Sequence, residues 1–300
     1  MKLPGILLLL LTCSVFAQTK TTGNEQEQQP RFRIKTNIVS LTVTVSDVNR
    51  RFVAGLKKED FEVFDDKVKQ DIALFSTADS PITLGIVYDV SGSMTPLSRG
   101  SLQALRGLFE YSHPQDEYFI LSFNNRSKLV QDFTSLPEEI LNKTVFVKPG
   151  GSTALFDAIY MALEKVKQGR HEKKALLIIS DGEENSSRYS FGELSKFLKE
   201  TDAQIYAIGL GSGGTLPAIT RVSGGLTFLP LEYNEVADIY ARIALMLRNQ
   251  YVIGYYPTDE SDAKRVHRVK VNVKVPRQIG RINVFYRDRY ESGDLTNSKP

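Results

Sequence analysis

The sequence is nearly devoid of cysteine. Cys13 is the single thiol among the 300 residues, and it lies in a segment that we expect to be removed on export. A mature chain without it has neither a disulfide nor a cysteine nucleophile. Its stability must therefore come from packing.

Histidine is also scarce, and long apolar runs are missing. The three histidines, His113, His171 and His267, show no metal-ligand spacing and are expected at the surface. No apolar run reaches the length of about 18 residues that a transmembrane helix needs, so none is expected in the mature chain. The net charge of +3 is close to balance and gives no sign of nucleic-acid binding.

The N-terminus has the layout of a secretory signal peptide over residues 1–17. A basic start precedes the apolar run 6–11, and a small-residue cleavage pattern follows, so we expect export to the periplasm, the cell surface or the medium. A buried N-terminal helix is the alternative, which Pro4-Gly5 disfavours. Lipid attachment at Cys13 is a further alternative, disfavoured because Thr12 stands where a small residue is usual.

Both ends of the remaining chain alternate apolar and polar residues, which is typical of strands with one buried face. The alternating segments are 39–45, 61–75 with a turn at 65–67, 269–275 and 281–286. Because each end supplies too few strands for a sandwich, we expect 31–78 and 250–290 to pair into one small β-sandwich. Residues 18–30 and 291–300 are expected to be a flexible leader and tail.

The middle of the chain, residues 81–249, has short continuous apolar runs separated by helical patterns. The runs are 84–88, 118–121, 175–179 and 205–208, and the helical spacing recurs over 102–109, 155–166 and 236–247. Such runs suit strands buried on both faces of a mainly parallel sheet. The alternation predicts an α/β fold, a Rossmann-like doubly wound sheet.

Polar side chains follow three of the predicted strands or open the helices after them. Asp89, Ser91 and Ser93 follow the first central strand, Thr153 opens the helix that begins near Ala154, and Asp181 follows the strand 175–179. Ligands bind outside the carboxyl ends of such strands, so these oxygens are expected at one edge of the sheet. Taken singly, the hydroxyls could cap turns and the acids could be solvated. Their joint occurrence favours a site.

The ligand types decide which ion suits that site. Hydroxyls and carboxylates are hard oxygen donors, which favour Mg²⁺, or Mn²⁺ or Ca²⁺, over Zn²⁺ or copper. Asp157, Glu183 and Glu184 lie nearby in sequence but are not counted as ligands.

The three motifs together resemble the metal-ion-dependent adhesion site of von Willebrand factor A domains. They are Asp89-x-Ser91-x-Ser93, Thr153 in Gly150-Gly151-Ser152-Thr153, and Asp181 in Ser180-Asp181-Gly182. With its flanks, the chain is similar to an exported bacterial subfamily of related proteins over roughly residues 35–288. The resemblance implies direct ligation by Ser91, Ser93 and Thr153, and ligation largely through water by Asp89 and Asp181.

The resemblance also implies a function, which is protein binding through a cation that coordinates a Glu or Asp of a partner. Two alternatives remain open, a metal-dependent hydrolase or phosphatase-like enzyme and a structural envelope protein with a vestigial site. The enzyme is disfavoured because Ser91, not a second acid, follows two residues after Asp89, and no Gly-x-Ser-x-Gly elbow surrounds the serines. We therefore expect a protein that is not an enzyme.

Two further expectations concern the end of the chain. Basic residues alternate with valines, which favours a solvated strand face over a polyanion site; they are Lys264, Arg265, Arg268, Lys270 and Lys274. The helix 234–249 leads directly into the strand at Tyr251. In domains of the similar family the last helix shifts on ligand binding, and such a shift would here reach the β-sandwich without a linker.

Overall fold

The computed structural model describes residues 38–77, 80–94, 105–144, 150–232, 234–258 and 265–291. The predicted signal peptide at 1–17 with Cys13, the predicted leader at 18–30, Lys264, and residues 292–300 of the predicted tail lie outside the described residues.

Strands and helices alternate through the middle of the chain, and strands dominate its ends. The strands in the described ranges are β1 (Val39–Asp47), β2 (Phe61–Asp65), β3 (Val68–Gln70), β4 (Ile72–Ser76), β5 (Ile82–Asp89), β6 (Glu117–Phe123), β7 (Ser127–Thr134), β8 (Lys173–Ser180), β9 (Gln204–Gly209), β10 (Thr227–Phe228), β11 (Tyr251–Tyr255), β12 (Val266–Val273), β13 (Ile282–Phe285) and β14 (Arg289–Glu291). The helices there are α1 (Arg106–Phe109), α2 (Pro137–Thr144), α3 (Leu155–Lys167), α4 (Phe191–Lys199), α5 (Leu216–Ser223) and α6 (Glu235–Arg248), with 3₁₀ turns at Lys58–Asp60, Gly92–Met94 and Arg277–Ile279.

The central sheet has the strand order β10-β9-β8-β5-β6-β7. Neighbouring strands are parallel except β7, which is antiparallel to β6. Every residue of β5, β6 and β9 is buried, which explains their continuous apolar sequences. The predicted doubly wound, mainly parallel sheet is confirmed.

Helices cover both faces of this sheet. Ile86 packs on one face with residues of α1, α2 and α6, while its neighbour Val87 packs on the other with residues of α3, α4 and α5. Ile86 and Val87 face opposite sides because successive side chains of a strand point to opposite faces of the sheet. The result is a three-layer domain in which β5 has strands on both sides, so its carboxyl end lies at the point where ligands bind in such folds.

Strands from both ends of the chain form a second core. One sheet has the order β13-β1-β11-β4 and the other β14-β12-β2-β3, and both combine strands from before and after the central domain. Their apolar residues share one buried cluster, in which Val43 and Tyr251 of the first sheet join Val63 and Val271 of the second. The β-sandwich expected from the two chain ends is confirmed.

Several elements were not predicted. The turn at 65–67 does join β2 to β3, but β4 leaves that sheet and pairs with β11 in the other. The strands β7 and β14 and the helices α2, α4 and α5 also had no prediction. The edge strand β7 is half-buried along most of its length, so its sequence lacks the continuous apolar run of the central strands.

A buried polar cluster joins α6, the central sheet and the sandwich. Gln250, between α6 and β11, is buried, and its Nε2 donates to Gln204 Oε1 at 2.7 Å and to the Tyr206 hydroxyl at 3.2 Å. That hydroxyl also lies 3.1 Å from Thr44 Oγ1 in β1. The end of α6, the central sheet and the sandwich sheet that contains β1 are therefore connected at one point.

In the described parts of the chain, no helix is both long and apolar enough to cross a membrane.

Candidate metal centre at the carboxyl edge of the sheet

The first site loop begins at Asp89, the last residue of β5. Its carboxylate is fully buried, and Oδ1 accepts a 2.8 Å hydrogen bond from Ser91 N. This bond closes a tight turn, after which the chain continues through a 3₁₀ turn at Gly92–Met94. The hydroxyls of Ser91 and Ser93 lie 3.1 Å apart on this turn. The sequence motif thus folds into a compact group of three oxygen-bearing side chains.

The second site loop follows β8, which lies beside β5 in parallel register. Ser180, the last residue of β8, donates from its hydroxyl to Asp89 Oδ2 at 2.5 Å. The same hydroxyl accepts from Gly182 N at 3.0 Å, which turns the chain immediately after Asp181. Gly182 has φ +78° and lies against the backbone of Gly213, so a side chain there would be strained and would clash. Asp181 therefore directly follows the serine that is bonded to Asp89, and its negative charge acts on the Asp89 carboxylate.

The third site loop, residues 150–153, is hydrogen-bonded to the first. Gly150 N donates to Val90 O at 2.7 Å, and Gly92 N donates to Gly151 O at 3.1 Å. Gly151 has φ +90°, a conformation that favours glycine. These bonds bring the segment before Thr153 against the turn that carries the two serines.

Two asparagines outside the motifs hold the segment around Thr153, which is buried. Thr153 N donates to Asn185 Oδ1 at 2.9 Å, and Thr153 O accepts from Asn185 N at 3.0 Å. Asn124, after β6, donates from Nδ2 to Gly150 O at 2.7 Å and accepts from Ala154 N at 2.8 Å. Sequence reasoning did not identify either asparagine, because both act on backbone atoms and belong to no spaced motif.

The two acids of the predicted site, Asp89 and Asp181, carry charges of the same sign. Burial raises the pKa of Asp89, hydrogen bonds from Ser180 and Ser91 oppose that rise, and the negative charge of Asp181 adds to it. No Lys or Arg of the described residues forms an ion pair with Asp89 or Asp181. The predicted ligands are two carboxylates and three hydroxyls, and no cationic side chain of the described residues pairs with these carboxylates. Such a set of oxygen donors fits a hard divalent cation.

The neighbouring acids have other partners. Asp157 accepts from Arg188 Nε at 3.0 Å and from the backbone amides of Arg188 and Tyr189. Glu184 accepts from Phe156 N and from Ser187 Oγ, so both acids fasten the loop after β8 to the start of α3. Asp157 and Glu184 thus have protein partners, and leaving them and Glu183 out of the ligand set stays a prediction.

The expectation that all three histidines lie at the surface is wrong for His267. Its side chain is only 5% exposed and lies beside Asp65 and Asp66 of the β-sandwich, whereas His113 and His171 are partly exposed. In β12 His267 falls on the same face as the buried Val269 and Val271. The two-residue period that predicted this strand would therefore also have placed His267 inside.

Comparison with known proteins gives a family match for part of the chain and similar solved structures. Residues 84–184 match the family model of the von Willebrand factor type A domain, and no curated protein matches the chain. Among solved structures, a von Willebrand factor type A protein from Catenulispora acidiphila shares 11% identity over 87% of this chain and 74% of its own, with a TM-score of 0.51.

Two shorter structures align with just over half of this chain. The conserved hypothetical protein BatB from Bacteroides thetaiotaomicron is 17% identical over 55% of this chain and 98% of its own, with a TM-score of 0.45. The vWF domain of the type V pili tip protein Mfa5 from Porphyromonas gingivalis is 11% identical over 56% of this chain and 95% of its own, also at 0.45.

Proposed function

We propose that this chain, which carries a von Willebrand factor type A domain, is an exported protein-binding module that recognises an acidic side chain of a partner protein through a divalent cation. Asp89, Ser91, Ser93, Thr153 and Asp181 would hold the ion, which is Mg²⁺ in the simplest case and Mn²⁺ or Ca²⁺ otherwise. When bound, the cation supplies a positive centre that attracts a carboxylate.

The observation that carries the proposal is the hydrogen bond from Ser180 to Asp89 Oδ2, together with the two backbone bonds between the first and third loops. These contacts support a common site for residues that are 92 positions apart in the chain, Asp89 and Asp181. Mutual repulsion of two carboxylates without a side-chain counter-charge would be relieved by a dication.

Exposure indicates the side from which a partner would approach. Asp89, Ser91 and Thr153 are all at most 2% exposed, whereas Ser93 is exposed and Asp181 is half-buried. A partner carboxylate would therefore reach the site past Ser93 and Asp181. The buried ligands would be fixed before the partner arrives, which reduces the entropy lost on binding.

The experiment is a capture assay from an envelope extract with the immobilised full chain. The extract is applied with Mg²⁺ and again with chelator, to wild type, to Asp89→Ala and to Asp71→Ala, which removes an exposed acid of the sandwich as a control. We expect a protein that is retained only with Mg²⁺, is lost with Asp89→Ala and is kept with Asp71→Ala. Amidation of the carboxylates of that protein should abolish its capture.

Three results would contradict the proposal. Capture that is equal with chelator would exclude the cation from binding. Mg²⁺-dependent turnover of phosphate or ester substrates would favour the hydrolase. Absence of any Mg²⁺ effect on stability would favour a vestigial site, because a bound ion should add about 2.7 kcal/mol at a hundredfold excess over its dissociation constant.

A further inference from the structure

A second group of potential metal ligands lies in the β-sandwich, on a different sheet from the Asp89 site. Asp65 ends β2 and Asp66 begins the turn to β3, while His267 lies on the neighbouring strand β12. His267 pairs in turn with Tyr290 of β14. The three side chains thus come from the end of β2, the turn that follows it and the adjacent strand β12 of the sheet β14-β12-β2-β3.

Each carboxylate has one oxygen held by the protein and one directed at the imidazole. Asp65 Oδ2 accepts from the Tyr290 hydroxyl at 2.6 Å and from the Tyr255 hydroxyl at 3.2 Å. Asp66 Oδ1 accepts from Arg268 N at 3.1 Å. The remaining oxygen of Asp65, Oδ1, is buried and has no hydrogen-bond partner. A buried oxygen without a partner is costly, and so it indicates a missing ligand.

The distances between these atoms suit a shared ion. His267 Nδ1 lies 3.4 Å from Asp65 Oδ1 and 3.2 Å from Asp66 Oδ2. Ligand bonds of about 2.1 Å at angles between octahedral and tetrahedral separate two ligand atoms by roughly 3.0–3.4 Å. A ring nitrogen carries at most one proton, so it can donate well to only one of the two oxygens. One cation satisfies all three atoms.

We propose that Asp65, Asp66 and His267 form a second metal site, for a transition dication of the kind represented by Zn²⁺. The imidazole nitrogen distinguishes this site from the all-oxygen group at Asp89, because nitrogen ligands favour Zn²⁺ and its neighbours over Mg²⁺. Two carboxylates balance the double charge of the ion, so its burial in the sandwich is not opposed by a net charge.

The surroundings fix the ligands in place. The His267 ring stacks on Tyr290 with centroids 4.9 Å apart and an angle of 10° between the planes. Burial raises the pKa of the Tyr290 and Tyr255 phenols, so both stay protonated and donate to Asp65. Such hydrogen bonds from outside the ligand set orient a carboxylate for metal binding.

An open cleft reaches the edge of the site at Asp66. Its volume is about 660 Å³, and it is lined by Asp66 and by the basic side chains of Arg265, Arg268 and Arg289. Arg265 lies 3.3 Å from Asp66 Oδ2 and would compete with the ion. Since the Arg265 side chain is 47% exposed, it can move into the cleft when a metal binds. Water from the cleft would complete the coordination.

The competing interpretation is a metal-free cluster in which the His267 ring contacts the two acids directly. Equilibrium dialysis of the full chain against Zn²⁺, with excess Mg²⁺ to fill the Asp89 site, separates the two. The variants are Asp66→Asn, which keeps the acceptor for Arg268 N, and Tyr290→Phe, with His113→Gln as the matched histidine control. Circular dichroism establishes that each variant is folded.

We expect wild type to retain Zn²⁺ and Tyr290→Phe to weaken its binding by about 10–100-fold. Asp66→Asn, which loses a direct ligand, should weaken Zn²⁺ binding by more than Tyr290→Phe does. His113→Gln should bind as wild type does, and so should Asp89→Ala, because that variant affects only the other site. Co²⁺ in place of Zn²⁺ should give visible absorption bands that Asp66→Asn removes. A wild type without bound Zn²⁺, or equal Zn²⁺ affinity in wild type and Asp66→Asn, would overturn the proposal.

Discussion

The Ser180 hydroxyl donates a 2.5 Å hydrogen bond to Oδ2 of Asp89, which joins the carboxyl ends of two neighbouring parallel strands. The other oxygen, Oδ1, already accepts from Ser91 N. Both oxygens of a fully buried carboxylate are thus fixed, one by its own loop and one by the loop that carries Asp181. The orientation of Asp89 therefore depends on a residue that is not in the predicted ligand set.

Replacing Ser180 tests this dependence. Ser180→Ala should lower Mg²⁺ affinity by about 10–100-fold, because removal of hydrogen bonds that orient ligands has effects of that size. Isothermal titration with Mg²⁺ measures the change. Ser186→Ala removes an exposed serine six residues away and should leave the affinity unchanged. Equal affinity in wild type and Ser180→Ala would show that the hydrogen bond does not position Asp89.

Asp89 should reduce the stability of the cation-free protein at neutral pH. Burial raises its pKa in the folded chain above the ordinary value of 3.8, which it has when unfolded. Because the folded chain then binds the Asp89 proton more tightly than the unfolded chain does, Asp89 contributes stability at a pH below its ordinary pKa. That contribution is lost as the pH rises through the pKa of the folded state. In chelator, the free energy of unfolding of wild type relative to Asp89→Asn should therefore fall as the pH rises.

Chemical denaturation of wild type and Asp89→Asn from pH 4 upward, with about equal ionic strength throughout, measures that difference. At pH 7 in chelator Asp89→Asn should be the more stable protein. Saturating Mg²⁺ should reverse the order, because only wild type gains binding energy. If wild type is more stable than Asp89→Asn both in chelator and in Mg²⁺, the prediction that the Asp89 carboxylate destabilises the cation-free protein is wrong.

Asn185 should matter for the site although it offers no ligand. Asn185→Ala removes the acceptor for Thr153 N and leaves a partly buried donor unpaired, at a cost of about 1–3 kcal/mol. We expect lower Mg²⁺ affinity and lower Mg²⁺-dependent capture, because Thr153 is no longer held. Asn142→Ala, on the exposed side of α2, is the control. Unchanged Mg²⁺ affinity of a folded Asn185→Ala would count against this role.

The connection between α6 and β11 predicts that binding at the sheet edge reaches the sandwich. Only Asn249 and Gln250 separate the two elements, and Gln250 is bonded to Gln204 and Tyr206. Hydrogen exchange of residues 234–256 should therefore change when the captured partner is added with Mg²⁺. In Gln250→Ala the change should be confined to α6. Identical exchange with and without partner would rule out the helix shift.

Much of the fold could be predicted because burial leaves a period in the sequence. The runs that form β5, β6, β8 and β9 are continuous since both faces of the sheet are covered, and the alternation in β1 and β12 identified the sandwich. The strands β3 and β4 belong to different sheets, which could not be predicted from the sequence. Only Asp71 separates them, and the sequence patterns of the two segments are similar. The domain limits 31–78, 81–249 and 250–290 stay predictions.

The site was predictable only in part, for a different reason. Motif spacing predicted a set of oxygen ligands, which stays a prediction, but not the groups that hold their loops, since Asn124 and Asn185 act on backbone atoms of a distant loop. The cluster around His267 was missed because Asp65 and His267 are 202 residues apart and meet only through strand pairing. Contacts of this kind depend on topology and leave no local pattern.

The most direct test of the central claim is anomalous diffraction from crystals of the full chain soaked in Mn²⁺. We predict an anomalous peak between the hydroxyls of Ser91 and Ser93, with Thr153, Asp89 and Asp181 around it. The same soak of Asp89→Ala should lack this peak. A wild-type crystal with no Mn²⁺ at the serines, or with Thr153 or Asp181 remote from them, would contradict the account.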